Sequence, residues 1–391
     1  MWNDSRQSLP ELCGDSTPPV RPFRVLSLDG GGMRGLYTAS FLNDLVEQAA
    51  RRRGVPLLDL GAGFDLIAGT STGAIVACAV AMGKPLREVV DLYRRHGSDI
   101  FPHRITGLAS VVFRAFTGGR YVRRGDAALR AALSAVLGDA TMADVYCTRG
   151  ISLVVPTVKM STHHAYVFKK TRTSGVRDDG QRLADVCLAS SAAPIYRSLA
   201  AITVGGSVGP CEVFADGGLW ANNPVMVGFA DALANAAPGQ PIEIFSLGTC
   251  PRPEGEHVTA EGVHRSLPGW RLGADVGPLS IAAQEFAYDN MARFFAKAFV
   301  ECGRSVSVVR FPNRPVPASM MPHLALDDAR VVTLDRLARQ ARTDADMTLS
   351  ACDDPLNGNG KLIARLLANL PPAELVDGTF TSARMPQKQE S

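Results

Sequence analysis

Nowhere do eighteen apolar residues run together in this 391-residue sequence, and the stretch from Ala74 to Met82 is far too short to cross a bilayer. A membrane-spanning helix is excluded, so any encounter with a membrane is expected from the side. Charge of one sign is missing as well: 41 Lys and Arg stand against 38 Asp and Glu, a net +3. A dedicated nucleic-acid binder would show a dominant basic excess, so no DNA or RNA duplex is expected as a partner. CxxC spacing is absent among Cys13, Cys78, Cys147, Cys187, Cys211, Cys250, Cys302 and Cys352, which leaves buried free thiols in a reducing compartment as the expectation. No D-x-D-x-D-G calcium loop occurs, and neither a metal nor another cofactor is expected. Met1 to Val20 lack the basic start and apolar stretch of a secretory signal, so a cytoplasmic location is expected.

What is present is a composition for burial: 46% hydrophobic and 20% charged residues support a sizeable core. Residues 1–21, with Pro10, Pro18 and Pro19, read as a mobile leader. A strand comes next at Phe23 to Asp29, then glycines, then a helix with Leu36, Phe41, Leu42, Leu45, Val46 and Ala49 at helical spacing. Arg51-Arg52-Arg53-Gly54 gives that helix a cationic, glycine-marked end. The pattern repeats with a strand at Phe64 to Gly69, a helix from Ala74 to Ala81 and another from Leu86 to His96. Further strands are expected at Ile151 to Val158, Ala165 to Phe168, Val213 to Ala215 and Ile242 to Leu247. Strands alternating with helices predict an α/β fold with a mainly parallel central sheet covered on both faces, in a core spanning residues 22–250. Residues 251–384 read as a mostly helical extension packing on that core. It carries helices at Pro278 to Cys302, 333–347 and 360–370 and a strand at Val306 to Phe311, before a disordered tail at 385–391. The segment Arg104 to Arg124 interleaves Val111, Phe113, Phe116 and Tyr121 with arginines and contains no acid.

Three segments carry chemistry. Gly69-Thr70-Ser71-Thr72-Gly73 is a GxSxG between a strand and a helix, where small neighbours allow a sharp turn that pushes a serine out of the fold. The helix start would favour negative charge developing there. A plain tight turn satisfies the same letters. Asp29-Gly30-Gly31-Gly32-Met33-Arg34-Gly35 offers bare amides that can form an anion-binding nest. It also matches GxGxxG, but the acidic ribose ligand due about twenty residues on is replaced by Arg51, Arg52 and Arg53. Asp216-Gly217-Gly218 comes after apolar Val213-Phe214, placing a carboxylate on a glycine turn at a strand end, although an ordinary turn aspartate fits too. Seven histidines are available to a serine nucleophile, none in a distinctive setting.

In order and type these segments resemble the patatin-like phospholipases, as do Ala189-Ser190-Ser191-Ala192-Ala193-Pro194 and Ser246-Leu247-Gly248-Thr249. The resemblance covers about residues 22–250 and implies a three-layer α/β/α fold. It also implies a Ser-Asp dyad, with Ser71 as nucleophile and Asp216 as general base, and an oxyanion hole from the amides of Gly31, Gly32 and Met33. Gly30, Arg34, Gly35, Gly69, Gly73, Gly217 and Gly218 support these motifs, Arg34 by holding the loop. Two alternatives stay open: an esterase triad in which Asp216 orients a later histidine such as His257, and a non-catalytic lipid- or nucleotide-binding protein. The implied substrate is membrane glycerophospholipid; the make-up of Arg104 to Arg124 fits either an interfacial lid for such a surface or an ordinary helical cap whose Val and Phe residues pack inward. Some bacterial members are antiphage effectors switched on by a cyclic oligonucleotide. Arg265, Trp270, Arg271, Phe286, Tyr288, Arg293, Phe294, Phe295 and Lys297 could form a pocket for such an activator, though most of these Phe residues read as core. A homodimer is left open.

Overall fold

The computed structural model describes residues 20–101, 108–203, 210–251, 255, 257–273, 275–312, 314–376 and 379–381. Most of the leader, all of the tail and residues 104–107 therefore lie outside the described residues. The chain starts with β1 (Phe23–Leu28), a 3-10 turn at Gly32–Arg34 and α1 (Gly35–Arg52), then β2 (Leu66–Gly69), α2 (Thr72–Met82) and α3 (Leu86–Ile100). Next come α4 (Leu108–Leu137), α5 (Met142–Arg149), β3 (Ser152–Lys159), β4 (His164–Lys170), α6 (Leu183–Ser190), β5 (Ala200–Thr203) and β6 (Cys211–Asp216). The rest comprises α7 (Gly218–Ala221), α8 (Val225–Asn235), β7 (Ile242–Leu247), α9 (Val276–Glu301), β8 (Val306–Phe311), α10 (Val331–Asp353) and α11 (Gly358–Asn369).

Eight strands form one sheet in the order β5-β6-β3-β2-β1-β7-β8, with β4 also on β3. The run β3-β2-β1-β7-β8 is parallel. Its central members FRVLSL and IEIFSL are buried throughout, as strands covered on both faces must be. The sheet is nonetheless mixed, because β4, β5 and β6 pair antiparallel. Between Lys159 and His164 only a short turn joins β3 to β4, and such a connection permits no parallel crossover. Alternate residues point to opposite layers. Leu26, Leu28, Ile67 and Phe245 join a core with α1, α2, α3, α6 and α10, whereas Val25, Leu66, Ala68 and Ile244 pack with α8 and α9. The region after residue 250 thus supplies an edge strand, β8, and helices to both layers.

The thiols depart from expectation. The seven described cysteines are free, but only Cys78, Cys187 and Cys250 are buried. Cys147 lies on α5, Cys211 opens β6 and Cys302 caps α9, all at solvent-facing places.

Candidate active site

Ser71 sits between β2 and α2 with φ 54° and ψ −123°, a conformation that non-glycine residues avoid and that costs of order 1–3 kcal/mol. Its surroundings hold it there. The Ser71 amide donates to Ser190 Oγ at 2.8 Å, and that hydroxyl donates to the Pro156 carbonyl at 2.7 Å. A Cβ on Gly73 would lie 2.3 Å from the Leu28 carbonyl oxygen, and one on Gly69 would lie 2.5 Å from that of Gly73. The two glycines of the motif are what allow the bend to close.

Strand register delivers the carboxylate. β4 occupies one edge of β3, so β2 and β6 share the other, meeting end to end: Ala68 stands opposite Val154 and Asp216 opposite Thr157. Serine and aspartate, 145 residues apart, therefore converge, and Ser71 Oγ donates to Asp216 Oδ2 at 2.9 Å. They are only 8% and 5% exposed. The other carboxylate oxygen, Oδ1, accepts from the Gly218 amide at 2.6 Å, and the Gly217 amide donates to the Ser190 carbonyl. Burial pushes the Asp216 carboxyl up to about 6, with the Gly218 amide, the Ser71 hydroxyl and the charge of Arg197 pulling the other way.

The glycine loop wraps the same place, with its amides unequally engaged. Gly30 N–H donates to the Asn222 carbonyl, Gly31 N–H to Thr72 Oγ1 at 3.0 Å and Met33 N–H to the Leu326 carbonyl at 2.7 Å. The Gly32 amide, on a residue with φ +56°, has no partner among the described residues. Arg34 is buried, its Nε leaning on the Gly31 carbonyl, and Gly35 abuts the Tyr93 ring. Three contacts had no local signal in the sequence. Arg310 of β8 donates to both oxygens of Asp29, at 3.2 and 2.5 Å. Glu285 of α9 accepts from Asn222, which itself donates to the Gly30 carbonyl. Ser190, quoted in the sequence only as part of a motif, acts as the clamp on the elbow.

A cavity of about 500 Å³ opens onto this site, lined by Ser71, Asp216 and Gly30 to Gly32 and by the apolar Ile75, Ile100, Phe101, Leu129 and Ile281. No described histidine lines it. A buried hydroxyl against a proton-accepting carboxylate, beside a free amide, can attack a carbonyl and stabilise the resulting oxyanion. A family model for the patatin-like phospholipases matches residues 26–229, a little over half of the chain, spanning loop, elbow and Asp216.

The chain belongs to the patatin-like phospholipase family. It is thereby an enzyme of the carboxylic ester hydrolase class. It is 31% identical over 337 residues to a cGAMP-activated phospholipase of Vibrio cholerae, covering 82% of this chain and 89% of the relative. A cGAMP-activated phospholipase of Pseudomonas aeruginosa is 32% identical over 70% of this chain and 75% of its own length. On this patatin-like phospholipase the residues considered for a nucleotide pocket lie on α9 and in the segment 265–271 before it. Phe286 and Phe294 of α9 are 73% and 69% exposed, and Phe295 is exposed too, so these rings are not core. Inward-facing Ala292 and Ala296 make the close contact with the sheet instead. Arg293 pairs with Asp289, and Arg265 stacks on Trp270. The Arg271 side chain lies outside the described residues, as do those of α4 up to residue 118, which carry most of the expected lid. Among the described residues, no helix is long and apolar enough to cross a membrane.

Proposed function

We propose that this hydrolase releases fatty acids from membrane glycerophospholipids by two-step acyl transfer, with Ser71 as nucleophile and Asp216 as the sole base. The observation that carries the reading is the 2.9 Å contact between Ser71 Oγ and a buried Asp216 carboxylate whose affinity for protons burial has raised. Ser71 Oγ attacks the ester carbonyl as its proton passes to Asp216. The tetrahedral oxyanion is met by the Gly32 amide, joined by that of Gly31 when the Thr72 hydroxyl yields it. Collapse breaks the ester bond, Asp216 returns the proton to the departing alkoxide, and the acyl group stays on Ser71. Water then attacks the acyl-enzyme, losing its proton to Asp216; collapse breaks the bond to Ser71 Oγ, which takes that proton back, and the fatty acid leaves. The apolar cavity supports acyl-chain binding from a protein that docks peripherally on the cytoplasmic face of the membrane.

Regulation belongs to the same reading. Relatives named for activation by cGAMP support a cyclic oligonucleotide as the signal and antiphage defence as the setting. The Met33 amide is spent on the Leu326 carbonyl, from the region after residue 250, so the third expected donor is withheld in this state. The test is lipid product analysis by mass spectrometry on wild type, Ser71→Ala and Asp216→Asn, with and without cyclic di- and trinucleotides. Free fatty acid and lysophospholipid should form only with wild type and rise with one nucleotide. Equal product from Asp216→Asn, or a protein lacking one histidine being as inactive as Ser71→Ala, overturns the dyad.

A further inference from the structure

The active-site cavity contains a charge that the acyl-transfer chemistry leaves unused. Arg197 lines it, lies just after the Ser190-Ser191 segment and has a side chain only 4% exposed. One guanidinium nitrogen, Nη2, donates to Asp126 Oδ1 of α4 at 2.9 Å. The other two, Nε and Nη1, are buried and have no hydrogen-bond partner among the described residues. Two unsatisfied donors on a buried cation are costly, and native proteins keep such groups where a ligand completes them. Catalysis itself gives Arg197 no reason to stay: among the described residues it makes no hydrogen bond to Ser71, and its charge draws the Asp216 carboxyl down, against the direction a general base needs.

We propose that Arg197 is the anchor for the phosphodiester of the lipid substrate. This rests on the phospholipase reading and deepens it, by naming what separates a phospholipid from a neutral ester in this cavity. Nε and Nη1 lie on the two edges that flank Nη2, so either one, together with the second Nη2 hydrogen, offers two oxygens of a phosphodiester a pair of N–H groups in one plane. The cavity supplies the rest of the selection. Ile75, Ile100, Phe101 and Leu129 suit an acyl chain, whereas Ser71 marks where the ester carbonyl must lie. A phosphodiester held by Arg197, tied to that carbonyl through the glycerol, fixes which ester reaches Ser71. A cyclic dinucleotide carries the same phosphodiester chemistry, but the apolar lining favours the lipid.

Binding is measured by calorimetry on Ser71→Ala protein, so no turnover intervenes. The probes are dihexanoyl-phosphatidylglycerol below its micelle concentration, neutral dihexanoylglycerol, inorganic phosphate and 3′,3′-cGAMP. Adding Arg197→Gln should weaken the phospholipid roughly 10- to 100-fold and erase its advantage over the neutral diester, with Arg197→Lys recovering part of it. Asp126→Asn, which breaks the one existing ion pair but spares the guanidinium, should keep the preference; matched losses in Asp126→Asn and Arg197→Gln reduce Arg197 to a structural role and overturn the proposal. So does an unchanged preference in Arg197→Gln, tight Arg197-dependent binding of phosphate alone, or of cGAMP in place of lipid. Turnover by wild type is read separately: binding that depends on Arg197 in a protein without ester hydrolysis would sink the catalytic reading and leave the anchor standing.

Discussion

At the scale of single residues the decisive quantity is where one carboxyl holds its proton. Asp216 works as a base only when ionised, and burial raises its midpoint to about 6. The rate constant kcat/KM on a soluble ester should therefore rise with unit slope as pH increases toward about 6 and level off above it, which a pH–rate profile reads directly. Stability moves the opposite way. The folded midpoint lies above the ordinary 3.8, so the folded state binds the proton more tightly. Stability that is fully present below about 4 is lost as pH climbs through 6, on the order of 3 kcal/mol in all. Asp216→Asn removes the buried charge yet keeps the shape. It should melt at a higher temperature than wild type at pH 8 and at nearly the same temperature at pH 4, while cutting turnover about 100- to 10,000-fold at pH 8 and by a smaller factor at pH 4, where wild type has itself lost most of its ionised base. A lower melting point at pH 8 would mean the carboxylate is better compensated than its burial implies.

At the scale of elements, the site is a junction where two strands abut on the edge of a third and a helix begins. The elbow was legible in the sequence because its glycines carry the constraint themselves: Gly69 and Gly73 face backbone oxygens, one within the motif and one on Leu28 of the neighbouring strand, at distances no Cβ tolerates. Gly73→Ala should accordingly cost more than about 2 kcal/mol in a chemical denaturation experiment and abolish activity, since the obstacle is the Leu28 carbonyl and not a movable side chain. Asp216 was legible for a similar reason, as a carboxylate on a glycine turn after an apolar strand. The Ser190 clamp was not, because its two partners, Ser71 and Pro156, are 119 and 34 residues away and nothing in a serine announces such a bond. Ser190→Ala leaves the buried Ser71 amide without an acceptor, a loss of about 1–3 kcal/mol. Because the amide belongs to the strained residue itself, kcat should fall about tenfold or more with little change in KM, a split that a purely global destabilisation would not give. The antiparallel strands escaped the sequence for a different physical reason: nothing in the residues of β4 and β6 marks their direction, which only turn length and partner choice decide.

For the whole molecule, the question is why the catalytic core is tied so tightly to the region after residue 250. β8 pairs along its full length with β7, and Arg310 on that strand reaches back to Asp29, 281 residues earlier, at the start of the glycine loop. Burial pushes the Asp29 carboxyl up, and the Arg310 guanidinium is the largest influence drawing it back down. Neither residue carries a motif for the other, so no amount of local reading reveals the pair. An ion pair this deep contributes little over a well-packed apolar substitute, but removing one partner strands the other, at about 3–5 kcal/mol. Arg310→Met should therefore destabilise the protein by that amount in urea unfolding, and Asp29→Asn on top of it should restore more than half of the loss by discharging the orphaned carboxyl. Activity separates the two roles of the pair. If Arg310 serves only to balance charge, the double variant should turn over ester nearly as fast as wild type. If it aims the glycine loop, whose first residue is bonded to the same Asn222 that α9 holds through Glu285, turnover should stay low in a protein that is again fully folded. The second outcome is the one expected, because the bidentate contact fixes the direction of Asp29 as well as its charge, and the amides that must meet the oxyanion begin soon after it in the same loop.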